Sequence, residues 1–448
     1  MAIPVLTAVS GAPWEAGLVG ALEGRGRTIE VVRRCVDVAD LLAAAGAGLG
    51  RAVLLSADLR RLDRDAVTRL QAGGVAVVGI ISPGDPTASE RLTALGVTRL
   101  VAADAGTTAI AEAVVRAVAA IGTETSAVPT FAFSAGVRPV VAGIGDPGGP
   151  GEQTGPPSGV DADPDSTPGR VIAVWGPTGA PGRTTLVAGL GSELAAGGHG
   201  TLLVDADVYG GTLAAHLGVL DESPGVAAAA RMANAGTLDA TGLLAQTLLV
   251  SDRLSVLTGI ARADRWPEVR PAALEVVLNL ARSVAHTVVV DCGFCLEEDE
   301  ELSFDTVAPR RNGATLTALS TADIVLAVGL GDPVGLQRLV RGLDELAERV
   351  APADVRVVVN RLRRGPIGAD PQGQIAAALQ RFAGTEPIAY LPEDRDACDA
   401  ALLRGRTVSE AAPDSRLRKE IAALARGLAP QRAGPGSQGR ARGGHRRS

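Results

Sequence analysis

The sequence predicts an α/β protein built from two doubly wound sheets that are joined by a flexible linker. Short apolar runs alternate with amphipathic helical patterns over residues 1–122, and the same rhythm returns after Arg170. Residues 123–168, between these regions, are rich in Pro and Gly and lack this alternation. Strands that alternate with helices favour parallel sheets covered by helices. We therefore expect one doubly wound domain on each side of the linker.

The overall composition narrows the class of protein. A chain of 448 residues is long enough for two or three domains with their own cores, and 46% hydrophobic with 21% charged residues is typical of globular proteins. The net charge of -7 argues against a protein that coats nucleic acid with its whole surface. Four cysteines are too few for a disulfide framework, and no apolar run reaches the roughly 20 residues that a membrane crossing needs. The start of the chain has no basic region before its apolar stretch, so we expect a cytoplasmic protein.

Residues 1–122 are expected to form a flavodoxin-like domain of five strands. The strands are predicted at Pro4–Ser10, Thr28–Arg33, Ala52–Ser56, Val75–Ile81 and Val97–Ala102, and the helical patterns at Asp58–Gln71, Ser89–Leu95 and Thr107–Ile121.

The size and rhythm of this first domain resemble a response-regulator receiver domain. Phosphorylation of a receiver needs an acidic pair after the first strand, an Asp after the third and a Lys after the fifth. Asp58 stands near the phosphoacceptor position, but no acid follows Val9 and no lysine follows Ala102. Without metal-binding carboxylates, phosphoryl transfer loses its electrostatic support. We therefore predict a pseudo-receiver that is not phosphorylated.

Residues 169–428 are expected to form the second domain, followed by a basic, disordered tail at 429–448. Its apolar runs are rich in β-branched residues, as in strands that are buried on both faces. Such strands are predicted at Val171–Trp175, Thr201–Val204, Leu254–Leu257, Thr287–Val290, Ile324–Val328, Val355–Val359 and Pro387–Leu391.

A glycine-rich turn follows the first of these strands. Residues 176–185 read GPTGAPGRTT and lead into an apolar helix. In a strand, glycine-rich turn and helix of this kind, backbone N–H groups and the helix N-terminus point at an anion, and Thr184 can reach magnesium. By itself such a turn also fits a tight connection between strand and helix.

Polar residues at the ends of other strands support the anion site. Asp205 and Asp207 follow the second strand, Asp291 ends a later one, and Asn360 and Arg361 end another. Each could serve as a helix cap or a turn residue. Because ligands of open α/β sheets lie at the carboxyl ends of the strands, however, these side chains are expected to meet at one crevice.

The order and spacing of these motifs resemble the MinD/ParA ATPases, which are P-loop NTPases with a mostly parallel sheet. The receiver-like domain in front resembles the CpaE-like branch of that family. The resemblance in motifs covers residues 170–428. Residues 1–122 resemble the family only in their architecture. It implies ATP and Mg²⁺ as cofactors, and it assigns roles to individual positions. The nucleotide-binding residues would be Gly179, Ala180, Pro181, Gly182, Arg183, Thr184, Thr185, Asn360 and Arg361; the magnesium site Thr184, Asp207 and Asp291; and the catalytic residues Asp205, Asp207 and Arg183.

The loop departs from the family at two lysines. Thr178 replaces the signature lysine that reaches the partner's phosphates across the dimer, and Arg183 replaces the P-loop lysine. Arginine keeps the charge, but its planar fork is not interchangeable with an ammonium group. Pro177 and Pro181 also lack N–H donors. Weakened nucleotide binding and slow hydrolysis are therefore expected, and Arg310 or Arg311 could supply positive charge or belong to a solvated loop.

Three further features have ordinary interpretations. Cys292 and Cys295 have redox-motif spacing, but they follow Asp291 and do not open a helix, so we expect incidental cysteines. The acidic run 297–301 is either solvated surface or a docking site for a basic partner. The segment Leu417–Leu428 is short and Ala-rich, and is expected to pack on its own domain rather than bind a membrane.

These observations lead to one functional hypothesis and two alternatives. The resemblance implies an ATP-dependent switch that forms a homodimer with ATP, hydrolyses it slowly, and positions or assembles a pilus, secretion or septum complex; membrane contact would come only through partners, at the inner face. Retention of the three aspartates favours an enzyme, whereas loss of both lysines favours a non-hydrolysing ATP-bound scaffold. DNA partitioning of the ParA type would use the basic tail, but the acidic composition argues against a nucleic-acid partner.

Overall fold

The computed structural model describes residues 2–9, 28–82, 85–121, 168–179, 182–219, 223–297 and 310–430. Most of the predicted linker, most of the predicted tail and residues 298–301 of the acidic run lie outside these ranges. The chain divides into two compact units. The first runs to residue 161 and includes 229–239 and 272–277, and the second comprises the remainder.

The first unit contains a five-stranded, fully parallel sheet in the order β2-β1-β3-β4-β5. This is the flavodoxin-like order that the sequence predicts. The strands are β1 (Ile3–Ala8), β2 (Ile29–Cys35), β3 (Ala52–Ser56), β4 (Ala76–Ile81) and β5 (Leu100–Ala102).

Helices cover both faces of this sheet. They are α1 (Val38–Gly46), α2 (Arg64–Ala72), α3 (Pro86–Ala94) and α4 (Thr107–Ile121). Neighbouring residues of β1 belong to different apolar clusters: Leu6 packs with Leu41 of α1, whereas Val5 packs with Ile110 of α4. Alternate side chains of a strand point to opposite faces, so the sheet is buried on both sides.

The predicted helix at Asp58–Gln71 begins later than expected, at Arg64. The Asp63 carboxylate accepts a hydrogen bond from the Ala66 amide at 2.9 Å and caps the helix there. The next helix begins earlier than expected, at Pro86, because Asp85 accepts from the Thr87 and Ala88 amides at 3.0 and 3.1 Å. In both cases a capping aspartate, and not the apolar pattern, sets the first turn.

The second unit contains an eight-stranded sheet in the order β13-β12-β11-β6-β10-β7-β9-β8. All neighbouring strands are parallel except β8 and β9, which form an antiparallel pair. The strands are β6 (Arg170–Trp175), β7 (Thr201–Ala206), β8 (Leu248–Ser251), β9 (Leu254–Leu257), β10 (Thr287–Cys292), β11 (Ile324–Leu330), β12 (Val355–Leu362) and β13 (Pro387–Pro392).

Helices follow most of these strands, and three of them come after the last strand, β13. They are α5 (Arg183–Ala196), α6 (Leu213–His216), α7 (Gly225–Asn234), α8 (Ala240–Ala245), α9 (Pro271–Val284), α10 (Gly313–Thr321), α11 (Pro333–Arg349), α12 (Pro371–Ala383), α13 (Arg395–Arg404), α14 (Val408–Ala411) and α15 (Arg416–Leu428), with a 3₁₀ helix at Ala263–Glu268.

One apolar cluster joins α5 and α15 to a face of this sheet. The final helix α15 buries Leu417, Ile421 and Leu428 in that cluster, so its apolar side is used inside its own unit. A Cβ added to Gly189 of α5 would lie 3.0 Å from Ile421, which shows how closely these two helices approach. Within the ranges given above, no helix combines the length and apolarity needed to cross a membrane.

Candidate functional site

The phosphate-loop region lies between β6 and α5, at the carboxyl edge of the second sheet. Gly179 and Gly182 have φ values of 75° and 96°, which L side chains rarely adopt. A Cβ at Gly182 would overlap the Asn360 amide nitrogen, so the loop and the end of β12 are in close contact. Ala180 and Pro181 lie outside the described residues, and their assignment stays a prediction.

Arg183 begins α5, directly after this loop. Its Nη1 donates to the Gly176 carbonyl at 2.8 Å, and its Nη2 lies 3.6 Å from the Asp207 Oδ2 atom. Both side chains of this ion pair are largely buried, with exposed fractions of 15% and 17%. The arginine that replaces the family's lysine is thus held by the loop and by the aspartate after β7.

Two buried carboxylates lie side by side at the centre of the sheet. Asp291 on β10 pairs in register with Asp205 on β7, and each residue is 1% exposed. Burial raises the pKa of Asp205 well above its usual range, and the Asp291 charge raises it further. Parallel strands in register therefore bring together the two carboxylates that the sequence places 86 positions apart.

Asp205 is fully enclosed by its surroundings. Its Oδ2 accepts from the Leu213 amide at 3.0 Å, and its Oδ1 accepts from the Asp207 amide at 3.3 Å. A Cβ added to Gly211 would lie 2.8 Å from Oδ2, and one added to Gly259 would overlap the carboxylate. Asp205 is therefore placed to fix the loop that carries Asp207.

Asp291 is buried without a hydrogen-bond partner for either carboxylate oxygen. Burial raises its pKa to about 7; the Thr184 hydroxyl and the Arg183 guanidinium oppose this shift, and Asp207 adds to it. A buried carboxylate with unsatisfied oxygens beside a threonine hydroxyl fits the donor set that Mg²⁺ uses with a nucleotide's phosphates.

The residues that could hold magnesium are few. No group of three or more His, Cys, Asp or Glu side chains in the described ranges could hold a metal ion alone. Magnesium bound to nucleotides usually takes one or two carboxylates and draws other ligands from phosphate and water. Thr184, Asp207 and Asp291 could supply this small number of protein ligands.

A groove of about 460 Å³ opens beside the loop. Its wall includes Thr184, Thr185, Asn360 and Arg361, together with the turn that starts at the end of β13 with Pro392, Glu393 and Asp394. This volume is in the range of pockets for small molecules and cofactors. Sequence reasoning missed the turn after β13, although it also lies at the carboxyl end of a strand.

Asn360 is held in a defined orientation at this groove. Its Oδ1 accepts from the Arg361 amide at 2.8 Å, and Arg361 has a φ of 52°, a strained value for a residue with a side chain. The register of β12 against β13 shifts at the same point. At this irregularity near the end of β12, the Asn360 amide nitrogen faces Gly182.

A chain of contacts ties Asp207 to the segment after β10. The Asp207 Oδ1 accepts from the Tyr209 amide at 2.9 Å, and the Tyr209 hydroxyl donates to the Asn312 Oδ1 at 2.7 Å. The Asn312 Nδ2 donates to the Glu297 carbonyl at 2.7 Å. The Arg311 guanidinium lies 4.3 Å from the centre of the Tyr209 ring, so this arginine stacks on the aromatic ring.

The two cysteines after Asp291 are free thiols. Cys292 is buried at the end of β10, and the Cys295 sulfur accepts from the Asn312 amide at 3.2 Å. Their interpretation as incidental residues stays a prediction.

With this geometry established, similarity to known proteins identifies the family. The sequence profile of the CobQ/CobB/MinD/ParA nucleotide-binding domain matches residues 172–407, which is more than half of the chain. The chain belongs to this family. The glycine-rich loop, the aspartates at the ends of β7 and β10, and Asn360 all lie inside the matched range.

Solved structures with a similar fold include members of the same family. The cell-division ATPase MinD of Pyrococcus furiosus is 21% identical, with 58% of this chain and 98% of that chain covered and a TM-score of 0.47. A ParA family ATPase of Chlorobium tepidum is 21% identical, with 57% and 98% covered and a TM-score of 0.49. The septum site-determining protein MinD of Pyrococcus horikoshii, solved with Mg-ADP, is 19% identical, with 58% and 95% covered and a TM-score of 0.46. No curated protein matches the chain.

Proposed function

We propose that the chain is an ATP-binding switch of the MinD/ParA type that hydrolyses ATP slowly. The observation that carries this proposal is the convergence of the loop glycines, Arg183, Asp207, Asp291 and Asn360 at one edge of a parallel sheet, beside a groove of about 460 Å³. Membership of the family supports nucleotide binding, but it does not identify the partner.

The loop and the start of α5 would hold the phosphates. Backbone N–H groups at a helix N-terminus carry partial positive charge, and the positive φ values of Gly179 and Gly182 allow the backbone to turn around an anion. Thr184 and Asp291 would hold Mg²⁺, which would neutralise phosphate charge when bound. The Asn360 amide would face the base in the groove.

The Arg183–Asp207 ion pair supports the switch. A triphosphate at the loop competes with Asp207 for the Arg183 guanidinium, because arginine forms strong, charge-assisted hydrogen bonds with phosphate. Transfer of the guanidinium to phosphate would free the Asp207 carboxylate to orient water. Asp205 acts as a positioning residue, since its oxygens hold the backbone amides of Leu213 and Asp207.

The loss of the family's lysines supports a second candidate function, a scaffold that binds ATP without hydrolysis. Thr178 has no charge, and Arg183 is engaged by Gly176 and Asp207. The scaffold and the slow enzyme share the same binding site, and they differ only in turnover.

The partner and the process are inferred from the resemblance. ATP binding would favour a homodimer, and the assembly positioned by the dimer would be a pilus, secretion or septum complex in the cytoplasm, with any membrane contact made through partners. The receiver-like first unit supports the CpaE-like branch through its sheet order alone.

Sedimentation of the full chain with ATP, ADP or no nucleotide tests the dimer, and a monomer under all three conditions would contradict it.

Calorimetry tests the binding site directly. The full-length chain is titrated with ATP, ADP and GTP in the presence of Mg²⁺, and ATP is expected to bind more tightly than GTP. Asp252→Ala, which removes an exposed carboxylate from the turn between β8 and β9, is the matched control and should bind as the parent does. Absence of binding at millimolar ATP would overturn the switch and the scaffold together.

A further inference from the structure

A second arginine lies on the phosphate loop, and its sequence context gives no hint of this position. Arg338 belongs to α11, and its Nη1 lies 3.5 Å from the Thr178 carbonyl, to which it donates. A Cβ added to Gly179 would overlap the same nitrogen. The Arg338 guanidinium therefore contacts the turn between β6 and α5.

The packing of α11 explains how Arg338 reaches the loop. A Cβ at Gly342 would lie 3.0 Å from the Trp175 ring and 3.2 Å from Pro177, so the helix approaches the end of β6 closely at this glycine. Residues four apart lie on the same face of a helix, which places Arg338 one turn before this contact and above the loop. The neighbouring Leu339 is fully buried and packs on Gly329 of β11, which fixes the rotation of the helix.

Within the described ranges, no carboxylate forms an ion pair with Arg338, and the polar contact of its guanidinium there is the Thr178 carbonyl. Arg183, by contrast, is engaged by Asp207 and Gly176. Arg338 thus brings a guanidinium, with five N–H donors of which the described residues use one, to a loop whose glycines have the backbone geometry of an anion site.

We propose that Arg338 is a phosphate-binding residue that contacts the terminal phosphates of a nucleoside triphosphate at this loop. The proposal rests on the proposed nucleotide-binding function and extends it to α11. Arg338 would place a positive charge beside Thr178, the position at which the chain has no lysine. A guanidinium can bind a phosphate through two parallel hydrogen bonds, which suits a charge-dense terminal phosphate.

The test compares Arg338→Gln with the parent, and measures the affinity of the full-length chain for ATP, ADP and AMP with Mg²⁺. Loss of a charged hydrogen bond should weaken ATP binding by at least about tenfold. AMP, which lacks the terminal phosphates, should bind both proteins equally. Thr178→Lys introduced into the Arg338→Gln protein should recover part of the affinity for ATP, because it restores a cation beside the loop.

Arg341→Gln is the matched control. Arg341 lies on the same helix but lines a different, apolar groove with Leu336 and Phe382, so its substitution should leave all three affinities unchanged. Equal weakening of ATP and AMP by Arg338→Gln would show that Arg338 only holds the loop, and would overturn the proposal. Unchanged ATP binding by Arg338→Gln would also overturn it while leaving the proposed function intact. Absence of ATP binding by the parent would overturn both.

Discussion

The Arg183 guanidinium forms an ion pair with the Asp207 carboxylate, at 3.6 Å between Nη2 and Oδ2, while its Nη1 donates to the Gly176 carbonyl. These contacts join the loop before α5 to the residue after β7. An arginine held in this way can bind phosphate in the ground state, but its rigid fork follows the movement of charge in the transition state less well than an ammonium group.

Arg183→Lys is expected to raise the basal rate of ATP hydrolysis by about a hundredfold, because one well-placed donor to developing charge contributes at least about this much. Phosphate release by the full-length chain under saturating ATP measures the effect. The Arg341→Gln protein serves as the control for arginine replacement outside the site. A rate that stays at background in Arg183→Lys, even with candidate partners present, would favour the scaffold.

Asp207→Ala is expected to reduce hydrolysis by at least about a hundredfold while ATP remains bound, since a positioned acid or base typically contributes that factor. Phosphate release and calorimetry on the same protein separate turnover from binding. Asp252→Ala should match the parent in both assays. If Asp207→Ala hydrolyses ATP as fast as the parent, Asp207 has no catalytic role.

Gly182→Ala should abolish ATP binding and lower the free energy of unfolding by at least about 1 kcal/mol, because a side chain in the left-handed region costs about 1–2 kcal/mol. The added Cβ would also overlap the Asn360 amide. Denaturant unfolding and calorimetry provide the two readouts. Gly427→Ala is the control: this exposed glycine lies in helix α15, a Cβ there meets no atom within 4 Å, and stability should stay equal or rise slightly.

Asn360→Asp is expected to narrow the preference for ATP over GTP by about tenfold or more, because mismatched polar groups in a binding site are costly. The Asn360 side chain lines the groove, and its Oδ1 accepts from the Arg361 amide, which fixes the orientation of the amide group. Competition between ATP and GTP for binding measures the ratio. Gln374→Glu, which changes an exposed amide on α12, is the control and should leave the ratio unchanged. An unchanged ratio in Asn360→Asp would show that Asn360 does not take part in base recognition.

Acetyl phosphate is expected to leave residues 1–122 unmodified. Asp58 is exposed after β3 and accepts a hydrogen bond from the Ser56 hydroxyl, but Ala102 and Ala103 lead to Asp104 without the lysine that a receiver needs. Intact-mass measurement after incubation gives the answer. A gain of one phosphate that disappears in Asp58→Ala would show that the domain is a working receiver.

The sequence is sufficient to predict the central strands and their shared edge. Asp205 and Asp291 could be placed together because buried apolar runs mark parallel strands, whose carboxyl ends meet. The strand at Leu248–Ser251 could not be predicted in the same way. It is four residues long, half exposed and antiparallel at the edge of the sheet, so it lacks a continuous apolar run.

The side chains that complete the site were harder to predict than the strands. Arg338 reaches Thr178 across 160 positions through the packing of Gly342 against Trp175, and that contact depends on tertiary structure. Arg311 stacks on Tyr209, another contact that its sequence context does not predict, and its role as a source of charge stays a prediction. Arginines are frequent throughout this chain, and their local sequence does not reveal which of them faces the loop.

The Asn312 side chain couples two parts of the chain through one amide group. Its Nδ2 donates to the Glu297 carbonyl at 2.7 Å, and its Oδ1 accepts from the Tyr209 hydroxyl at 2.7 Å. The Tyr209 amide in turn donates to the Asp207 carboxylate. A displacement of Asn312 would therefore be transmitted both to the segment after β10 and to the loop that carries Asp207.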